Sequence, residues 1–200
     1  LRRPLLLAAH GLFEAWRPEQ VASCHALGSA IGREAKKVVA AKETALRSIL
    51  EGTKQYQVPL YQRTYSWTLD QVQRLWSDVV DLTSDRMENE TQTHFIGSLV
   101  LAPSPSLSPA GVQHFLVIDG QQRLTTLTLL LAAIREHRAK HEDPSHRDRI
   151  NDQFLINKWQ EDQPLKVLPT QEDQDAYNSW IRGVKLSGSD GGIGTASRFF

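Results

Sequence analysis

The run Asp119-Gly120-Gln121-Gln122-Arg123 places an acid, a glycine, two amides and an arginine in succession, directly before an apolar segment. A carboxylate here can orient a water, hold a metal or accept a proton. The two amides can bond a phosphate or a base edge, and an arginine can bind two phosphate oxygens at once. The pattern indicates a site for a phosphate-bearing ligand.

The position of Arg123 is itself informative, because the apolar segment predicts a helix that begins near Gln121. A helix start carries a partial positive charge, so an arginine there costs up to roughly 1 kcal/mol at low salt. An arriving anion would offset that cost, and Gly120 would let the anion approach the backbone. In the alternative interpretation, Asp119 only caps the helix and Arg123 pairs with Asp119.

A second group of candidate residues lies in the aromatic segment Val58 to Trp67. A loop with an arginine and exposed aromatic rings suits recognition of a base or a sugar-phosphate. Alternatively, the last aromatic residues fill the core beside the helix that follows. The candidate residues in this segment are Pro59, Tyr61, Gln62, Arg63 and Tyr65.

A third group consists of His94 and Ser98, which flank Gly97 in a predicted strand. A strand glycine can mark the close approach of a ligand. The alternative is that His94 is an ordinary histidine at a strand end. Elsewhere no metal-ligand spacing, nucleophile elbow or GxxxxGK[ST] loop is found, so a nucleotide would be bound by other means.

Periodicity and capping signals predict the elements that position these residues. Residues 1–40 predict an N-terminal extension, mobile or partly helical, and residues 41–200 a single α+β domain. The predicted helices span about 46–51, 68–82, 121–137 and 150–159, with another after Thr170. The predicted strands span 56–58, 94–102, 114–118 and 164–168, with the second and third in an antiparallel hairpin.

Composition limits the class of protein. The chain has 23 basic and 23 acidic residues, so a nucleic-acid partner would need a local basic patch rather than bulk charge. The only cysteine, Cys24, excludes an intramolecular disulfide and fits a reducing cytoplasm. No apolar run is long enough to span a bilayer. We therefore expect a cytoplasmic protein without a membrane partner.

Three sequence blocks in order resemble a known family. These blocks are VPLYQRTYSW (58–67), HFIGSLVL (94–101) and VIDGQQRLTTL (117–127). Together they are similar to the N-terminal domain of the GmrSD-type restriction enzymes, within the ParB/sulfiredoxin-like superfamily. The resemblance extends from about residue 42 to 200, and the later segments KVLPTQEDQDAY and IGTASRFF agree with it.

The resemblance implies a small sheet packed with helices, with additional helices on the C-terminal side. It implies that Asp119 to Arg123 bind and hydrolyse a nucleoside triphosphate. Asp119 would then position the attacking water or hold Mg²⁺. The fit of the first block favours the SspE-type group, whose members sense phosphorothioated DNA and hydrolyse GTP. The five candidate residues between Pro59 and Tyr65 would then contact the DNA and sense its modification. Gln122 and Arg123 would then assist Asp119 in catalysis, and a homo-oligomer is a further expectation. The superfamily's reductase branch needs a cysteine in the motif, and none is present.

The resemblance also implies a C-terminal HNH-type nuclease domain, which would lie beyond Phe200. Two other functions stay open at this point. The motif could cut DNA directly, as in a ParB-like nuclease, or it could bind nucleotide without hydrolysis, as in ParB clamps. A purely structural role predicts neither binding nor turnover.

Overall fold

The computed structural model describes residues 21–25, 38–89, 91–104, 111–142, 145–158, 160, 162–186 and 191–200. Six strands form one mixed sheet in the order β2-β1-β4-β5-β3-β6. The strands are β1 (Val21–His25), β2 (Val38–Lys42), β3 (Lys54–Gln57), β4 (Leu99–Pro103), β5 (Gln113–Asp119) and β6 (Val167–Leu168). β4 pairs with β5 in the predicted antiparallel hairpin, whereas β3 is parallel to β5 and to β6.

Helices cover this sheet, and the α+β class predicted from the sequence is confirmed. They are α1 (Leu46–Leu50), α2 (Leu69–Glu88), α3 (Gln121–His141), α4 (Ser145–Ile150), α5 (Gln174–Ile181) and α6 (Gly191–Phe199). A π-helical turn, Asn151–Leu155, follows α4, and a 3₁₀ turn, Gln171–Asp173, precedes α5. The predicted cap of α2 is present, because the Thr68 backbone N–H donates to Gln71 Oε1 at 2.9 Å.

The central helix α3 explains why the motif stands where it does. Its residues are buried almost continuously from Leu124 to Arg135, on more than one face. A helix that is buried on more than one face must be enclosed by several elements, and α3 contacts α4, α5, α6 and the π-helical turn. The N-terminal end of this fixed helix carries Asp119 to Arg123.

Three predicted elements differ from the structure. β1 and β2 lie largely within residues 1–40, where the sequence predicted a mobile or helical extension. The strand expected at 94–102 begins only at Leu99, because Gly97 has φ +96° and cannot continue an extended ladder. The helix expected at 150–159 is instead α4 with its π-helical turn, and Trp159 lies outside the described residues.

Candidate functional site

A β-bulge in the hairpin decides where Asp119 points. Leu101 is opposite Val117 and Val100 is opposite Asp119, so Ile118 is an extra residue without a partner on β4. Strict alternation would place Asp119 on the same face as the fully buried Val117. The bulge breaks that alternation, and both Ile118 and Asp119 are exposed.

The structure does not have the alternative arrangement in which Asp119 caps the helix and Arg123 pairs with Asp119. The residue at the cap of α3 is Gly120, with φ 87°, and no side chain caps the helix start. Arg123 does not pair with Asp119, since its Nη1 donates to the Ser98 carbonyl at 2.7 Å. Within the described ranges, no side chain is hydrogen-bonded to the Asp119 carboxylate. The acid is therefore exposed to solvent beside the free N–H groups of the first helical turn.

Two glycines make room for close contacts within the protein. A Cβ on Gly97 would lie 2.6 Å from Cζ of Arg123, so this glycine makes room for the guanidinium. A Cβ on Gly120 would lie 2.9 Å from the Ser98 carbonyl oxygen and from Leu99 Cδ1. Gly120 is buried against β4, and its predicted contact with a nucleotide stays a prediction.

The two glutamines of the motif hold the aromatic loop. Gln121 Nε2 donates to the Arg63 carbonyl at 3.0 Å, and Gln122 Nε2 donates to the Thr64 carbonyl at 3.0 Å. Gln122 Oε1 also accepts from the Ser66 backbone N–H at 2.8 Å. These amides were predicted to bind nucleotide, and here they position residues 63–66 beside the start of α3.

Gln62 joins the aromatic loop to the end of β5. Its Nε2 donates to the carbonyl of the bulged Ile118 at 2.9 Å, directly before Asp119. Pro59 is buried and its carbonyl accepts from the Gln62 backbone N–H at 3.0 Å, which forms a tight turn. Tyr61, at the tip of that turn, is 75% exposed, and Arg63 is also exposed. The loop thus presents Tyr61 and Arg63 to solvent beside Asp119.

Tyr65 is a core residue of this loop. It is buried, and its hydroxyl lies 2.7 Å from Thr126 Oγ1 on α3. Burial raises the pKa of its phenol well above the usual value, so the group stays neutral. A direct contact between Tyr65 and DNA would require Tyr65 to leave that position. Trp67 also packs against the core, in agreement with the core-filling interpretation.

The sequence reasoning missed a third support of the loop. The Asp173 carboxylate accepts from the Tyr65 backbone N–H and from Thr170 Oγ1, both at 2.6 Å. The sequence predicts only that a helix begins after Thr170, so it does not indicate this contact. Together with Arg63, Gln121 and Gln122, Thr170 and Asp173 border a small cleft that is partly open to solvent.

Of His94 and Ser98, the structure places Ser98 in contact with the motif and His94 beside α2. The Ser98 carbonyl receives Arg123, as described above. His94 Nε2 lies 3.6 Å from Asp78 Oδ2 on α2, where it ties the segment before β4 to that helix. No group of three or more His, Cys, Asp or Glu side chains that could hold a metal occurs among the described residues. A metal at Asp119 would thus need its other ligands from substrate or water.

Comparisons with known proteins agree with the sequence blocks. In the described part of the chain, no helix has the length and apolar character needed to cross a membrane. No curated protein matches the chain. The model for the GmrSD restriction endonuclease, N-terminal domain, matches residues 46–190, which is most of the chain. The chain therefore belongs to the family of GmrSD restriction endonuclease N-terminal domains and has a role in a restriction system.

Proposed function

We propose that this domain hydrolyses a nucleoside triphosphate, with GTP as the first candidate, and couples hydrolysis to the sensing of modified DNA. The observation that carries the proposal is the exposed Asp119 carboxylate at the start of α3. It lies where β5, α3 and the loop of Arg63 meet, and the bulge at Ile118 directs it outward. Membership of a restriction family supports DNA as the partner.

The chemistry assigned to each group follows from charge and position. Asp119 would orient the attacking water, or hold Mg²⁺ together with the triphosphate oxygens, since Mg²⁺ is commonly bound by one or two carboxylates plus substrate phosphates. The N–H groups of the first turn of α3 would bind a phosphate oxygen. Arg123 uses one of its five N–H donors on Ser98, and the others can neutralise charge that develops on the phosphates.

The modification proposed for the DNA is phosphorothioation. Sulfur in place of a phosphate oxygen is larger and less hydrated, so apolar contacts favour it. Tyr61 and Arg63 are both exposed and lie two residues apart in the same loop. The loop thus offers an aromatic surface and a cation to the same phosphate group. Because Gln62 and Gln121 tie this loop to both sides of Asp119, a shift of the loop on DNA binding would reach the hydrolytic site.

The test is phosphate release from GTP by this chain, with no DNA, with unmodified duplex and with phosphorothioated duplex. We expect turnover to rise with the modified duplex and to fall at least about a hundredfold in Asp119→Asn, because removing a group that stabilises the transition state costs that much. Gln92→Glu, an exposed amide-to-acid change remote in sequence from the motif, is the control for handling and folding.

Two results would contradict the proposal. Nucleotide binding without phosphate release under any condition would make the domain a ligand-binding clamp. Nicking of duplex DNA by this chain, lost in Asp119→Asn, would instead assign the carboxylate to a ParB-like nuclease.

A further inference from the structure

The turn that begins at Pro59 carries two large apolar side chains in water. Leu60 is 80% exposed and Tyr61 is 75% exposed. The bulged residue Ile118, whose carbonyl receives Gln62, is 38% exposed. Seven large hydrophobic side chains are exposed in the described part of the chain, and three of these gather at this one junction.

This tip is held rigidly, although it is exposed. The Val58 backbone N–H donates to the Leu168 carbonyl at 2.9 Å, and the Gln62 N–H donates to the Pro59 carbonyl at 3.0 Å. The Gln62 side chain fixes the other end of the turn on Ile118. Because the backbone of the turn is fixed before binding, less conformational freedom is lost when a partner covers its side chains. Such a turn is suited to insertion rather than to a flexible surface contact.

We infer that Leu60 and Tyr61 form a wedge that inserts between base pairs of the DNA to which the domain binds. This inference rests on the proposed function only in taking DNA as the partner. Proteins that bend DNA insert apolar side chains between base steps, and aromatic rings stack on the bases they expose. Arg63, one residue beyond Gln62, supplies the charge that binds the adjoining phosphate.

The wedge serves the sensing role as well. Insertion at a base step deforms the adjoining backbone, so the wedge and a contact with the phosphorothioate would act on the same stretch of DNA. Leu60 is the informative residue, because it makes no polar contact and carries no charge. Its removal changes only the apolar tip of the turn.

The experiment compares binding of this chain to a short duplex that carries a fluorescent 2-aminopurine, over a series of salt concentrations. We expect 2-aminopurine fluorescence to rise on binding of the unmodified chain, since unstacking relieves quenching. Leu60→Ala should lose this rise and bind about tenfold more weakly, the loss of one stacking or wedge contact. Leu60→Phe should restore both.

Salt dependence separates the wedge from phosphate contacts. The slope of log affinity against log salt should be unchanged in Leu60→Ala and reduced by about one in Arg63→Ala, because only the arginine displaces a counterion. Met87→Ala is the matched control, since Met87 is 67% exposed at the end of α2. It should bind as the unmodified chain does.

Three results would overturn the inference. These are unchanged DNA affinity in Leu60→Ala, equal losses in Leu60→Ala and Met87→Ala, or an effect of Leu60→Ala on self-association alone in sedimentation. GTP turnover without DNA is measured in the same variants. If the chain hydrolyses GTP but the tests of Leu60 fail, the wedge is rejected and the proposed hydrolysis is kept. If the tests of Leu60 succeed but no GTP is hydrolysed, hydrolysis is rejected and the wedge is kept.

Discussion

At the scale of single residues, the site depends on glycines that give space to side chains. Gly97 combines a positive φ of +96° with a Cβ position that would overlap the Arg123 guanidinium at 2.6 Å. Gly111 has a similar φ of +69° but no atom within 4 Å of its would-be Cβ. Comparing the two glycines therefore separates the effect of the positive φ from the effect of the space that Arg123 occupies.

We expect Gly97→Ala and Gly111→Ala each to lower the free energy of unfolding by about 1–2 kcal/mol, because both force alanine into a left-handed backbone. Gly97→Ala should lower it further, because the displaced guanidinium loses its hydrogen bond to Ser98. Only Gly97→Ala should move the guanidinium, since a flexible side-chain end yields before the backbone does. The measurement is the NMR resonance of Arg123 Nε–Hε together with triphosphate affinity. A shifted resonance in both variants, or in neither, would contradict the assigned role of Gly97.

At the scale of elements, a buried lysine joins helix ends that lie far apart in sequence. Lys166 is only 1% exposed, and its Nζ donates to the carbonyls of Leu50, Gly52 and Gln153 at 2.7–2.8 Å. A cation at the C-terminal end of α1 satisfies carbonyls that a helix leaves unbonded. Lys166 thereby joins α1, the π-helical turn and the entry to β6.

Lys166→Met should lower the free energy of unfolding by about 3 kcal/mol, because one buried and two partly buried carbonyls lose a charged hydrogen-bond donor. Lys158→Met is the control. Lys158 forms an exposed ion pair with Asp152 at 3.1 Å, and such pairs contribute about 0–1 kcal/mol. Urea unfolding at pH 7.5 measures both variants. Equal losses would show that the three carbonyls of Lys166 are readily satisfied by water.

The same lysine predicts a pH dependence. Burial and the neighbouring Lys54 lower the pKa of Lys166 to about 8, from 10.5 in an exposed lysine. Between these values the unfolded chain binds more protons than the folded chain, so the contribution of Lys166 to stability rises with pH from about 8 to 10.5. The difference in unfolding free energy between the unmodified chain and Lys166→Met should therefore grow from pH 7.5 to 9.5. A difference that shrinks would show that the three carbonyls favour the ammonium more than burial disfavours it.

At the scale of the whole molecule, the sequence predicted the elements better than their connections. Apolar spacing predicted α2 and α3, and a local capping pattern placed the start of α2, because these signals lie within one element. The bulge at Ile118 could not be predicted, since it exists only relative to β4. Nor could the hydrogen bonds from Gln122 to Thr64 and from Asp173 to Tyr65, which join residues 58 and 108 positions apart.

The C-terminal helix α6 also contacts the aromatic loop, far from it in sequence. α6 packs against α2, α3 and α5, and its start lies on the aromatic loop. A Cβ on Gly192 would lie 2.6 Å from the Tyr65 carbonyl oxygen, whereas a Cβ on Gly191 would have nothing within 4 Å. Because the overlapping atom belongs to the backbone, any larger residue at 192 must push the helix and the loop apart.

Substitutions at these neighbouring glycines test whether α6 positions the loop, because the two interpretations predict opposite changes in the free energy of unfolding. Helix propensity alone predicts that Gly192→Ala stabilises the chain by about 0.5–1 kcal/mol. The φ of +58° at Gly191 predicts that Gly191→Ala destabilises it. If α6 positions the loop, Gly192→Ala is instead destabilising, and hydrogen exchange at the Tyr65 and Ser66 amides accelerates in that variant alone. The measurements are thermal unfolding and residue-resolved hydrogen exchange. A stabilised Gly192→Ala with unchanged exchange would mean that the loop is held by Gln122 and Asp173 without help from α6.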